Sequence, residues 1–251
     1  MPKERPGVLS IAGFDPSGGA GVLADIKTFE ANKCLGLGVV TGLTFQNEDE
    51  FEGVKWLETE EIIRQMDVLL RKYKIEFVKI GMIKNLVELN RLISGMTSLI
   101  PSLKIVWDPV IKASAGFTIH STVERDKVNE VCKSIFMLTP NIDEIKTLAG
   151  GQDEMKAAKA LSQYCHVFLK GGHSEADKGR DHLFTKEGKQ FSFRPKKIAA
   201  HGKHGSGCVL SSAITARLAL GRKLNRACLE GKDYVTRFLN SNKTLLGFHH
   251  V

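Results

Sequence analysis

The stretch Gly7-Val8-Leu9-Ser10-Ile11-Ala12, continued by Gly13-Phe14-Asp15-Pro16-Ser17-Gly18-Gly19-Ala20-Gly21, decides the fold class. Its first half is apolar with little alternation, the pattern of a strand covered on both faces. The glycines then open a loop, and a helix is expected over about Ala20–Ala31. A covered strand that runs through a glycine loop into a helix starts a β–α–β unit.

The same alternation continues outward from this stretch. Gly36–Thr44 is a second strand candidate, and Glu60–Tyr73 an amphipathic helix with Ile62, Met66, Leu69 and Tyr73 along one face. Short strands are expected at Phe77–Ile80, Lys104–Trp107, Phe136–Thr139 and Val167–Leu169, with helical segments between most of them. His182–Thr185 and Gln190–Phe193 flank Glu187-Gly188 as a hairpin, and from Gly205 the chain reads as helical with a break near Gly221. Strands alternating with helices predict an α/β fold with a mostly parallel central sheet and helices on both faces. With no internal repeat and no linker, one domain over residues 1–251 is expected. In such sheets ligands sit at the carboxyl ends of the strands, which is where the polar and glycine-rich stretches fall.

Composition bounds the function. The chain has 251 residues, 42% hydrophobic and 25% charged, as in an ordinary globular protein able to bury a sizeable core. No stretch approaches the ~18 apolar residues of a membrane-spanning helix, and the charged start Met1–Arg5 leads into too short an apolar run for a secretory signal. Five cysteines without a CxxC pair suggest neither a disulfide framework nor a zinc site, so a cytoplasmic setting is expected. The net charge of +8 is concentrated late: residues 170–251 hold 16 Lys/Arg against 6 Asp/Glu. That region lacks a zinc finger, an RNA-recognition signature or basic residues interleaved with aromatics, so neither nucleic acid nor membrane is expected as a partner. The phosphates of a nucleotide remain the natural anion.

The strongest local signal is His204-Gly205-Ser206-Gly207-Cys208 running into Val209–Ile214. Glycines before a helix let backbone N–H groups converge, forming an anion hole suited to a phosphoryl group. A thiol at that helix start would have a lowered pKa and could act as a base. The same residues also read as an ordinary helix start with an inert cysteine. No GxxxxGK[ST] loop occurs. Taken singly, Asp25 reads as a helix carboxylate, Gln46-Asn47 as a turn, Met82 as core, Glu144 as a helix residue favoured by the dipole and Lys170 as a surface lysine. His173, His201 and His204 show no metal-ligand spacing.

Together the blocks say more. Ala12–Gly21 with Asp25-Ile26-Lys27-Thr28-Phe29, Thr41–Asn47, Lys79-Ile80-Gly81-Met82, Asp108-Pro109-Val110, Thr139–Glu144, Lys170-Gly171-Gly172-His173 and His204–Cys208 occur in this order over nearly the whole chain. In this the sequence resembles the hydroxymethylpyrimidine/phosphomethylpyrimidine kinases of the ribokinase superfamily. The resemblance implies a ribokinase-like three-layer α/β/α sandwich. It also implies transfer of the ATP γ-phosphoryl group to the hydroxymethyl oxygen of 4-amino-5-hydroxymethyl-2-methylpyrimidine in thiamine biosynthesis, and in many members a second phosphorylation.

Residue by residue, the resemblance implies Cys208 as base in place of the Asp of sugar kinases, with Gly205, Ser206 and Gly207 as the anion hole. It implies Asp108, Asn141 and Glu144 around Mg²⁺, largely through water, and Lys170, Ser206 and Lys232 at the nucleotide. For the acceptor it implies Gly13, Asp25, Gln46, Met82 and Val110. A glutamine amide can meet both a ring nitrogen and an amine, so Gln46 is expected to read the pyrimidine. A homodimer is implied, and dependence on a monovalent cation is left open.

The departures are Phe14 for a small polar residue, Ser114-Ala115-Gly116 in the substrate loop, Ser206 for Thr, Lys203 for Thr beside the anion hole, a brief Gly172–Asp181 segment and an early C-terminal end. Two rival readings are a pyridoxal kinase of the same architecture and a non-catalytic nucleotide-binding protein.

Overall fold

The computed structural model describes residues 4–111, 124–172, 179–195 and 202–249. The expectations concerning Ser114-Ala115-Gly116, His173 and His201 lie outside the described residues. The chain opens with β1 (Gly7–Phe14), α1 (Gly21–Ala31), β2 (Leu35–Gln46), β3 (Phe51–Trp56), α2 (Thr59–Lys72) and β4 (Ile75–Ile80). It continues with α3 (Leu86–Leu99), β5 (Lys104–Trp107), α4 (Arg125–Ser134), β6 (Met137–Leu138), α5 (Ile142–Leu148), α6 (Glu154–Leu161) and β7 (His166–Leu169). The last elements are β8 (Asp181–Phe184), β9 (Gln190–Phe193), α7 (Ser206–Ala219) and α8 (Leu224–Leu239).

The strands form one nine-stranded sheet in the order β3-β2-β1-β4-β5-β6-β7-β8-β9. From β2 to β7 all neighbours pair in parallel, while β3 and the β8–β9 hairpin add antiparallel margins. Side chains of a strand alternate between faces, and here both faces are covered. Leu9 and Ile11 of β1, Val78 and Ile80 of β4, and Ile105 and Trp107 of β5 enter one core, shared with residues of α2 to α6. Val8, Phe77 and Val106 enter the opposite core, shared with α1, α7 and α8. The result is the ribokinase-like three-layer sandwich.

The β3 strand was not expected from the sequence. Phe51–Trp56 is short and incompletely buried, so it carries no sustained apolar run. It exists because Asn47 turns the chain: its Oδ1 accepts from Asp49 N and Glu50 N, and its own N–H donates to Glu50 O. The strand before it accordingly runs on to Gln46 rather than ending at Thr44. The helix expected over Glu60–Tyr73 is α2, closed at its start by reciprocal bonds between Glu58 and Glu61. The break expected near Gly221 separates α7 from α8.

Gly231 sets how closely α8 lies on α7. A Cβ there would stand 2.6 Å from Ile214 Cγ1 and 3.1 Å from Ile214 N. Helix propensity alone favours Ala over Gly by about 1 kcal/mol, whereas overpacking a tight core costs about 1–3 kcal/mol. Gly231→Ala is therefore expected to lower the denaturation midpoint. A rise would show that the helices can separate without loss.

Candidate active site

The site is assembled where the carboxyl ends of β1, β4, β5, β6 and β7 meet the start of α7. Gly205 caps α7 in the left-handed region, φ 69°, and a Cβ there would overlap the Gly19 carbonyl, so only glycine lets the two loops touch. Cys208 follows in the first turn, half-buried, whereas the other cysteines are buried. The Gly21 N–H points at its sulfur, which places the thiol beside the opening glycine loop. A Cβ on Gly207 would stand 3.4 Å from Lys170 Nζ, so that ammonium lies directly beside the backbone at the start of α7.

Beneath these loops runs a buried chain of alternating charge. Lys79 Nζ, fully buried, donates to both carboxylate oxygens of Asp25 at 3.0 and 2.9 Å and lies 3.9 Å from Asp108 Oδ2. Asp108 Oδ1 accepts from Lys170 Nζ at 2.6 Å, and Lys170 lies 3.6 Å from Glu144 Oε2. Hydroxyls complete the coordination: Ser10 and Ser212 donate to Asp25, and Ser211 donates to Asp108. Burial opposes the charges of Lys79 and Lys170, but their carboxylate neighbours outweigh it and raise both pKa values. Burial likewise works against Asp108, and Lys170 and Lys79 overcome it, holding the carboxyl below its usual range. At the end of the chain, burial pushes Glu144 up to about 7, against the pull of Lys170.

This geometry gives several of the expected residues partners within the protein. The helix start does not lower the Cys208 pKa: burial pushes the thiol up to about 11, and the nearby carboxylates Asp108 and Asp25 add to this against the pull of Lys79. Asp25 is fully buried, and its oxygens accept from Lys79, Ser10 and Ser212, so it braces the site. Lys232 gives its ammonium to Asp181 Oδ2 and the Gly179 carbonyl, both at 2.5 Å, which ties α8 to the start of β8. Lys203 turns away from the anion hole to the Asn242 carbonyl and Oδ1 and the Thr244 carbonyl.

The remaining expected residues lie at or just beyond strand ends. Gly13 ends beneath the methyl group of Met82, whose carbonyl accepts from Thr41 Oγ1 at 2.7 Å. The Val110 N–H donates to the Asp108 carbonyl, and Gln46 ends β2, the strand beside β1. Asn141 and Glu144 form a reciprocal cap on α5: Asn141 Oδ1 accepts from Glu144 N, and Glu144 Oε2 from Asn141 N. Among the described residues no three acidic, His or Cys side chains converge as direct metal ligands.

Sequence reasoning gave no role to Lys79, Ser10, Ser211, Ser212 or the buried pair Asp15–His204. A signal was present: Ser10 and Lys79 are polar in strands otherwise apolar, and a buried charge demands a partner.

Residues 15–250 match the family model described as phosphomethylpyrimidine kinase. The hydroxymethylpyrimidine/phosphomethylpyrimidine kinase of Aquifex aeolicus is 34% identical over 247 residues, covering 94% of this chain and 95% of its own. A crystal structure of a phosphomethylpyrimidine kinase from Clostridium difficile superposes with TM-score 0.77 at 28% identity, covering 93% of this chain and 99% of the other. The ADP complex of Bacillus subtilis pyridoxal kinase gives TM-score 0.79 at 25% identity, covering 94% and 92%.

Two outcomes follow from the charges. Lys79→Met leaves Asp25 buried without its cation and should cost about 3–5 kcal/mol, with part restored when Asp25→Asn is added. Denaturant titration of the single and double variants measures this, and additive losses would contradict the pairing. Iodoacetamide should modify one equivalent of cysteine, at Cys208, about tenfold faster per pH unit between pH 8 and 10, since only the thiolate reacts and its population grows up to a pKa of about 11. A plateau near pH 8 would mean that the thiol is activated without ligand.

Proposed function

Because the chain belongs to the phosphomethylpyrimidine kinase family, a family of thiamine biosynthesis, we propose that its rim of strand ends transfers the γ-phosphoryl group of ATP to the hydroxymethyl oxygen of 4-amino-5-hydroxymethyl-2-methylpyrimidine. The observation that carries this reading is the meeting of the Cys208 sulfur, the Gly205–Gly207 backbone and the Lys170 ammonium beside the opening glycine loop. Phosphoryl transfer asks a protein chiefly for positioning and for donors where charge develops. The N–H groups at the start of α7 supply such donors, and Lys170 adds a point charge. Cys208, nearest the glycine loop, would take the proton from the acceptor hydroxyl as that oxygen attacks phosphorus. Its high pKa limits the thiolate population, so the anion hole carries the larger share of the acceleration.

Gly13, Met82 and Val110 would shape the acceptor pocket, with Gln46 reading the aminopyrimidine edge through its amide. Mg²⁺ would neutralise phosphate charge, with Asp108, Asn141 and Glu144 orienting its waters. The chain is proposed to work as a single domain, in the cytoplasm and as a homodimer. Leu43 and Phe45 on β2, 40% and 55% exposed beside the sheet's last strand, support a second copy as the partner. Among the described residues no helix is long and apolar enough to cross a membrane. A second reading, pyridoxal as acceptor, is favoured by the superposition on the pyridoxal kinase.

Cys208→Ala should keep ATP binding while turnover falls by about 10²–10⁴. Near-normal kcat would remove the base role and leave only the anion hole. Gln46→Met should weaken phosphorylation of the aminopyrimidine more than that of pyridoxal, because pyridoxal has an oxygen where the amine stands. ATP consumption with the pyrimidine, its monophosphate and pyridoxal, tested side by side in the wild type and this variant, decides between the two readings.

A further inference from the structure

The loop carrying Gly205 and the loop carrying Gly19 touch backbone to backbone, and one polar pair spans that contact. His204 Nε2 lies 2.8 Å from Asp15 Oδ2 across 189 residues of sequence, with side chains only 3% and 1% exposed. Asp15 is fixed by its own loop: Oδ1 accepts from Ser17 N and Ser17 Oγ, and Oδ2 from Ala20 N at 2.8 Å. Burial works against the Asp15 charge, but His204 and these donors outweigh it and hold the carboxyl below its usual range. His204 is itself packed tightly, since a Cβ on Gly19 would stand 2.5 Å from its Cδ2. Its backbone N–H donates to the Leu245 carbonyl at 3.0 Å, while Nδ1 is buried without a hydrogen-bond partner. The contact with Asp15 is thus the imidazole's polar anchor, and the next residue in the chain is Gly205, the cap of α7.

We propose that His204, clamped by Asp15, is a positioning residue of the phosphoryl transfer: it holds the Gly205–Gly207 backbone against the acceptor-side glycine loop, so that donors and acceptor stay in line. Neither side chain is exposed enough to touch substrate, so the pair acts only through the backbone that it orients. Stabilisation of developing charge requires donors within about 2.7–3.1 Å of the oxygen, and a misplacement of about 1 Å can cost 10²-fold. A clamp joining these two loops governs that distance directly. The proposal rests on the kinase reading above.

His204→Leu keeps bulk and removes the pair, whereas His204→Gln can return an N–H to Asp15. The Leu variant should lower kcat about 10- to 100-fold with KM for ATP changed little, and should weaken binding of ADP with aluminium fluoride, a mimic of the phosphoryl group in flight, by a similar factor. ADP alone should bind as before, and the Gln variant should recover most of the loss. Asp15→Asn added to His204→Leu should contribute little further, since both act on one contact. In hydrogen exchange, peptides covering 203–210 should exchange faster in the Leu variant than in the wild type or the Gln variant. Unchanged kcat, equal losses in Leu and Gln, or a fall in ADP affinity matching that of the mimic would overturn the clamp. If the wild type consumes no ATP with any of the heterocycles, the kinase reading fails instead. The exchange measurement then decides the clamp alone, with unaltered rates at 203–210 ruling it out.

Discussion

Five ionisable side chains of alternating sign, Asp25, Lys79, Asp108, Lys170 and Glu144, link α1, the ends of β4, β5 and β7, and the start of α5. Such a chain is costly to bury, and apolar residues of equal volume would often be as stable. It persists only because every member has a partner of opposite sign and the serines at positions 10, 211 and 212 fill the remaining acceptor positions. The consequence is geometric. The ends of β4, β5 and β7 and the starts of α1, α5 and α7 cannot move independently without leaving a charge unpaired in the interior.

That constraint shapes the chemistry above it. Burial above all, with Asp108 and Asp25 adding to it against the pull of Lys79, opposes a negative charge on Cys208 and raises its pKa to about 11. On the proposed reading, a phosphoryl group would instead meet Lys170 and the backbone N–H groups of α7, and only the thiolate fraction of Cys208 could accept the acceptor's proton.

The C-terminal third also takes on a different meaning. Three of its lysines, 170, 203 and 232, are buried, one in the charge chain, one among carbonyl oxygens of residues 242 and 244, and one against Asp181. They join elements together rather than presenting a basic face. The segment after α8 returns to the site, with the Leu245 carbonyl on His204 N and the Leu246 side chain against Gly19. The loop that leads into α7 is thereby held from both sides.

Periodicity and glycine placement alone determined the alternating β/α order, the parallel sheet and the gathering of polar residues at strand ends. Each follows from the spacing of apolar residues and from backbone conformations open only to glycine. The order of the motif blocks added the family and, with it, Cys208, Gln46 and the anion hole. The β3 strand was hidden because an exposed edge carries no apolar run. The fates of Asp25, Lys203 and Lys232, the acidity of Cys208 and the bond between Asp15 and His204 belonged to the tertiary structure. A charge's partner is chosen by distance in space, and residues 15 and 204, or 25 and 79, become neighbours only once the sheet has brought their strands and loops together.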